Sequence, residues 1–519
     1  MISSPNSYAR TPRTVSVRPS RLDKVIEYVA PGIGLKRRAH RARLAMTNQY
    51  RGAENSRLRA DWILGQSDAT PGGWELSRLR ARSRDLNRND PVASGATETM
   101  GINIVGQGLK PQSRLRAEVI GISPDRAAAL RKQAELVFRE WSVNADSANR
   151  LDFDEIQFLA LRKIVEDGEV LALPIMADDP WRTLKRAVEL IEADRLATPT
   201  RKMNIGEESQ GVETGKRGEP KKYWIRKAGS ATEYTGIDAR DKKGRPKILH
   251  VFRSNRAGQV RGVPYFAPVL TYFKDLADYL EAEVVAARVA ACLSVFVTTE
   301  NPAYAAYGAA TDTEDSTGHR LQQLEPGLID YLKPGEGIHT VDPKRPGDSF
   351  DPFIKSILRL IGVSLNMPYE LLVKDFSQTN YSSARAALLE GRRMFLNWRS
   401  WFARKFCQPL WDLVLEEAYL RGRFEAPEFY AHRYEYTRAQ WIGGGWGWVD
   451  PVKEVEASRK AIDYGLSTLA KEAAGQGEDW EEILEQKREE EKKSEELGVQ
   501  IMNAAKGGAG DAAAETAEK

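Results

Sequence analysis

Two stretches of this chain place apolar or small residues at steps of three and four, strictly alternating in the first, and that repeat constrains the fold more than anything else in the sequence. The first runs Leu270, Phe273, Ala277, Leu280, Val284, Ala287, Ala291; the second runs Ala384, Leu388, Gly391, Phe395, Trp398, Phe402, Phe406. Such a repeat draws a stripe narrower than the face by which an ordinary helix seats on a core. Small residues close the first stripe (Ala286, Ala287, Ala290, Ala291), so a neighbouring helix can approach closely. The second belongs to a helical pattern from Tyr381 to Gly422, about 60 Å long at 1.5 Å per residue. Pro409 is expected to kink it, because proline lacks an N–H and its ring crowds the carbonyl four residues earlier. Helices of this length project beyond one small domain and need partners. The plain alternative is that both stripes are core seams of a compact unit.

The first half reads as α+β. Residues 1–20 form an arm rich in Ser, Pro and Arg, and helical periodicity begins near Arg21 and recurs through Leu35–Tyr50. Ser123-Pro124-Asp125 marks a helix start, a cap followed by proline in the first turn, and that helix runs to about Trp141. Asp152 caps a helix with Phe153, Ile156, Ala160 and Ile164 on one face, and Gly168 ends it. Glu169–Met176, Val188–Glu192 and Lys247–Arg253 are β-favouring runs, with Met203–Lys222 read as a loop between them. Beyond the first stripe, Thr298–Ser349 is punctuated by Gly and Pro and holds a strand-like run, Gly327–Leu332. Pro352–Leu365 is an amphipathic helix, and Lys374–Ser383 a polar interruption between two helices.

At 519 residues the chain is about 3.5 times a typical domain, so several packed units are expected. Its 41% hydrophobic and 29% charged residues are those of a folded protein. Two cysteines, Cys292 and Cys407, give no disulfide framework, and without a signal-peptide pattern a reducing compartment is the natural setting. The longest apolar run, Val284 to Val297, is interrupted by Arg288 and Ser294 and is too short to span a bilayer, so no membrane partner is expected. The net charge of +4 hides an asymmetry: residues 1–90 hold 18 Lys/Arg against 8 Asp/Glu, whereas residues 471–519 hold 7 against 14. A basic arm can bind nucleic acid through counterion release, or simply be solvated. Lys506–Lys519 is too poor in large apolar residues to fold alone.

No enzyme signature emerges. Gly101–Gly108 (GINIVGQG) lacks the Lys and Ser/Thr of a phosphate loop and the dinucleotide spacing, and reads as a turn near strands. The acidic pairs Glu166/Asp167, Asp178/Asp179 and Glu192/Asp194 could hold magnesium for phosphodiester cleavage, but 73 acidic residues make close pairs common by chance. His250, His339 and His432 read as structural, and no cofactor or metal site is expected. The cluster Trp441–Trp448 could stack bases, though a packed aromatic turn is the simpler reading.

Several segments, in one order, resemble the lambda-like branch of the portal proteins of tailed bacteriophages. They are EDGEVLALP (Glu166–Pro174), IEADRLATP (Ile191–Pro199), RGVPYFAPVL (Arg261–Leu270), YLKPGE (Tyr331–Glu336), the long segment Phe350–Phe395, WFARKFCQPLWDL (Trp401–Leu413) and Gly447–Thr468. The resemblance implies an α+β portal-type fold assembled as a homo-oligomeric ring, dodecameric at one capsid vertex, with a channel for double-stranded DNA. It implies a flexible basic arm (1–20), an α+β wing (21–263), a stem helix (264–293), a small α/β clip (294–350) and a second stem helix (351–366). A channel loop (367–382), a long kinked helix with its connection to the crown (383–440), a helical crown (441–498) and a disordered tail (499–519) would follow. Lys374, Asp375, Ser377, Gln378, Thr379 and Asn380 would lie in the loop that narrows the channel, and Leu270 to Ala291 would carry subunit packing. The implied partners are the terminase large subunit, the major capsid protein and scaffold, and a head-completion or adaptor protein. The implied places are the virion and, during assembly, the host cytoplasm. A conduit lined with cations would hold DNA at many phosphates and stall it, so a neutral or acidic channel wall is expected. The alternatives are a metal-dependent nuclease using the acidic pairs, and a nucleic-acid-binding scaffold without a channel.

Overall fold

The computed structural model describes residues 73–199, 208–291, 295–299, 336–340, 350–447 and 450–499. The arm, the helical readings between Arg21 and Tyr50, most of the clip with Gly327–Leu332, Cys292 and the tail lie outside the described residues. The chain divides into two units, Met1–Asp68 and Ala69–Lys519; the second is described here.

It opens with helices α1 (Gly73–Asn89) and α2 (Pro91–Ile104), separated at Asp90, whose side chain accepts from the Ala93 amide at 2.8 Å. Strand β1 (Lys110–Ser113), the short α3 (Ala117–Ile120) and α4 (Pro124–Ser142) follow. Ser123 caps α4 by accepting from the Arg126 amide. Helix α5 (Phe153–Asp167) starts in a reciprocal cap: the Asp152 carboxylate accepts from the Glu155 amide at 2.8 Å, and Glu155 reaches back to the Asp152 amide at 3.0 Å. It ends at Gly168 (φ 88°), where an added Cβ would lie 2.3 Å from the Val263 backbone. Phe153, Ile156, Ala160 and Ile164 are all buried, as their spacing predicts.

Strands β2 (Glu169–Met176), β3 (Arg186–Ile191), β4 (Glu208–Ser209), β5 (Val212–Thr214), β6 (Pro220–Arg226), β7 (Tyr234–Asp238) and β8 (Leu249–Phe252) make two antiparallel sheets, ordered β3-β2-β8 and β4-β5-β6-β7. Leu171 faces both Ile191 and His250 in the first sheet, and Leu171, Ile191, Val212, Tyr223 and Ile225 share a small core with Leu196 and Ile248. The expected loop Met203–Lys222 is corrected here, since β4, β5 and the start of β6 lie within it. Glu208 pairs with Glu213 and Ser209 with Val212, closed by Gln210 (φ 50°) and Gly211 (φ 89°). Two positive φ values in a two-residue link suit the twist of a hairpin.

The second half begins with α6 (Leu270–Ala291) and the antiparallel pair β9 (Val295–Thr299) and β10 (Glu336–Thr340). Then come α7 (Phe350–Ser364), α8 (Tyr369–Val373) and α9 (Tyr381–Phe402). A π-helical turn, Ala403–Cys407, leads into α10 (Gln408–Leu420). Pro409 sits in the first turn of α10, and the Lys405 carbonyl its ring would crowd lies in the π turn, a register that loosens the bonding by one residue. Helix α11 (Arg433–Tyr436) and strand β11 (Ala439–Ile442) follow; β11 pairs with β1 from Lys110↔Ile442 to Ser113↔Ala439, joining early and late chain. Helices α12 (Pro451–Asp463), α13 (Leu469–Gly475) and α14 (Trp480–Leu497) finish the unit.

The two stripes part ways. Phe395, Trp398, Phe402 and Phe406 of the second are buried in the same core as Met100, Phe138, Phe153 and Trp411, Gly391 is buried too, and Ala384 and Leu388 are half-buried, so from Gly391 onward this stripe is a seam within the chain. Phe402 and Phe406 stack at 5.0 Å, and Phe406 stacks on Phe153 at 6.4 Å. The first stripe is buried only at its start. A second correction concerns Gly101–Gly108: Gly101–Ile104 finish α2, and only the remainder is a turn. An added Cβ on Gly101 would meet the Phe158 ring at 2.5 Å, so this glycine serves helix packing. Among the described residues no helix is long and apolar enough to cross a membrane.

Candidate channel loop and packing helix

The segment between α8 and α9 is short and tied at both ends. Leu372 is buried, and Leu371 packs where Gly391 leaves room, an added Cβ there lying 2.2 Å from it. Lys374 ends α8 in the left-handed conformation (φ 59°). Asp375 accepts from the Ser377 amide at 3.0 Å and its hydroxyl at 2.6 Å. The Ser377 bonds hold the Asp375 carboxyl below the usual aspartate range. Thr379 donates from its hydroxyl to the Phe376 carbonyl at 2.8 Å, and Asn380 caps α9 by accepting from the Ser383 amide at 2.8 Å. Lys374, Ser377, Gln378 and Asn380 are exposed. The loop is therefore a pre-shaped turn whose Lys374 ammonium and Gln378 amide face solvent. It can touch a polyanion at single points, and such contacts position without reading sequence.

On α6, Leu270 and Phe273 are buried and Ala277 is exposed, while Leu280 is 38% and Val284 50% exposed; Ala287 is exposed too. Nothing is described of the Ala291 side chain. The inner side of the helix is anchored instead by Leu276, buried although outside the stripe, and by Tyr279, whose ring meets Phe350 and Phe353 of α7 at 5.8 and 5.0 Å. Among the described residues the rest of the stripe is not covered, Ala277, Leu280, Val284 and Ala287 all being exposed. Asp275, Asp278 and Glu281 are exposed along the same helix.

The acidic pairs are engaged with cations. Arg84 grips Asp167 with two bonds, 2.6 and 2.8 Å, and also reaches Asp194. Lys163 pairs with Glu166 at 2.9 Å and Glu192 at 3.3 Å; Lys185 pairs with Asp178 and Arg182 with Asp179. Among the described residues no three His, Cys, Asp or Glu side chains gather as metal ligands would. The sequence missed the hub beside these pairs. Glu169, wholly buried, accepts from Arg80 at 2.8 Å, Arg261 at 2.8 Å and the Gly262 amide at 2.6 Å, with His250 at 2.9 Å. Burial alone would raise its carboxyl, but Arg261, His250 and Arg80 outweigh that and hold it well below the usual range. Also unforeseen is Arg399, which donates to the carbonyls of Ile104, Asn103 and Gly444 and lies 4.6 Å from the Trp446 ring. Burial brings it down to about 10. Trp446 donates to Asn103 and Trp441 to Gln408, each at 3.0 Å, so these indoles are packed.

Comparison with known proteins points to one class, the phage portal. The family model described as phage portal protein, lambda family, matches residues 55–399. The portal protein of Escherichia phage N15 is 27% identical over 456 residues, covering 82% of this chain and 85% of that protein. Portal protein B of Escherichia phage lambda is 25% identical over 440 residues, covering 79% and 83%. Among solved structures, a chain in the neck of an empty GTA particle computed with C6 symmetry aligns with 79% of this chain and 93% of its own, at 14% identity and a TM-score of 0.41. The chain belongs to the lambda family of phage portal proteins.

Proposed function

We propose that this chain is the subunit of a dodecameric ring at one capsid vertex, through whose channel double-stranded DNA is packaged and later ejected. One observation carries the ring: the α6 stripe is seated at Leu270 and Phe273 but bare at Leu280 and Val284, in a chain of the portal family. Closed rings of identical subunits use heterologous contacts, in which each copy offers one face to its left and another to its right, and a bare stripe supports such lateral packing. In this reading Lys374–Asn380 narrows the channel, and the exposed Asp275, Asp278 and Glu281 of α6 suit a neutral or acidic wall along which DNA slides. The boundaries of wing, stems, clip, long helix and crown are carried over from the family resemblance. So are docking of the terminase large subunit, contacts with capsid protein and scaffold, the head-completion partner and nucleation of capsid assembly. No residue is assigned a catalytic role. The test is negative-stain imaging with mass measurement of the purified chain: annular particles are expected, and a compact monomer at every concentration would overturn the reading.

A further inference from the structure

The last helices close over α4 in a place crowded with carboxylates. A cleft of about 450 Å³ is lined by Gln112, Glu135, Arg139, Asp154, Asp479 and Glu482, among others. Glu135, half-buried on α4, accepts a single hydrogen bond, from the Ser113 amide at 2.6 Å, and pairs with no cation among the described residues. The cations of α4 are spent elsewhere: Lys132 on Glu485, Arg139 on Glu482 at 2.6 Å, and Arg131 on the Leu115 carbonyl at 2.8 Å. Facing Glu135 from the start of α14 are Asp479, Glu481 and Glu482; Asp154 lines the same cleft from α5, with Asp152 beside it and Lys110 of β1 opposite. The joint is also imperfectly satisfied, since the Trp480 indole N–H and the Gln112 amide nitrogen are buried without hydrogen-bond partners.

We propose that this joint is a proton-operated clasp: α14 stays seated on α4 while Glu135 carries a proton and loosens when Glu135 ionises. Desolvation and the carboxylates of Asp479, Glu481 and Glu482, against one bond from Ser113, raise Glu135 to about 7. Asp154, raised by burial and by Asp152 to about 6, adds charge over the same range. With α14 lifted, Glu135 regains water, loses three acidic neighbours and returns toward the ordinary glutamate range. The seated state thus binds the proton more tightly. Its advantage is complete below that ordinary range and is lost as pH rises through about 7. An ionised Glu135 also competes with Glu482 for Arg139, one helical turn along α4. The Lys132–Glu485 pair keeps its charge throughout, so α14 loosens without detaching.

The test is hydrogen–deuterium exchange of 480–497 in the full-length protein, corrected for intrinsic exchange, across about pH 5 to 8. Linkage to one proton predicts that opening rises by up to about tenfold per pH unit and levels off above about 7. Glu135→Gln, which cannot ionise, is expected to lose the rise toward pH 7 and to keep only the smaller pH dependence that Asp154 contributes up to about 6. Asp479→Asn keeps the cap on the Glu481 amide (2.8 Å) but removes one charge, and is expected to move the midpoint to lower pH. Protection independent of pH in the wild type, or a Glu135→Gln protein that follows the wild-type course, overturns the clasp. If Glu135→Gln does not fold, an unmoved midpoint in Asp479→Asn does the same.

Discussion

Glu169 shows how much of the molecule can rest on one side chain that sequence cannot single out. It gathers Arg80 from α1, His250 from β8 and Arg261 from the approach to α6, partners 89, 81 and 92 residues away. A motif such as Glu166–Pro174 marks the stretch, but only the fold brings the cations to it. The surrounding caps were legible because their logic is local: Ser123, Asp152 and Gly168 each act within four residues. Glu169→Gln removes the charge and leaves two buried guanidiniums without it. Breaking a buried pair in this way costs about 3–5 kcal/mol, and the loss is expected as a lower midpoint in denaturant unfolding. Glu192→Gln, at a side chain 56% exposed and paired with Lys163, is expected to change little. Because Glu169 is held below its ordinary range, its contribution is present above that range and is lost as pH falls through the folded value. Acid unfolding of the wild type should therefore steepen relative to Glu169→Gln.

At the scale of elements, a three-four repeat tells that a helix has a stripe but not what lies against it. The α6 and α9 stripes look alike in sequence; one is exposed beyond its first turn and the other is core from Gly391 onward. Aromatic bulk was the available signal: Phe395, Trp398, Phe402 and Phe406 fill an interior, whereas Ala277, Leu280, Val284 and Ala287 leave a shallow surface. The β4–β5 hairpin escaped because two- and three-residue polar strands carry no alternation to read. The α6 difference predicts opposite outcomes for two neighbouring changes. Val284→Glu, at a half-exposed position, is expected to leave helix content and melting nearly unchanged while abolishing annular particles. Leu276→Ala, at a buried position, is expected to cost about 2–5 kcal/mol of stability. Loss of rings without loss of fold in the first, checked by circular dichroism and imaging, separates packing between subunits from packing within one. For α9, removing the cap by Asn380→Ala is expected to cost about 1 kcal/mol and to raise exchange across Ser377–Ser383.

For the whole molecule, charge placement carries the consequence that matters most if the assembled chain conducts DNA as proposed. Basic residues are concentrated in 1–90 and acidic ones at the other end, while the loop between α8 and α9 exposes one lysine among short polar groups. On the proposed reading a ring built of such loops would meet duplex DNA at few phosphates, so its retention of DNA should depend weakly on salt. Gln378→Lys adds one cation per subunit at an exposed position. Each phosphate newly neutralised steepens the fall of log affinity with log salt by about 0.9, and with several subunits touching the duplex at once the slope changes by a multiple of that. The expected outcome is tighter, more salt-sensitive retention of a linear duplex by assembled Gln378→Lys rings, measured by co-sedimentation over a salt series. An unchanged slope would mean that residue 378 does not face DNA. A steep slope already present in the wild type would mean that the conduit grips its cargo, against a neutral or acidic wall.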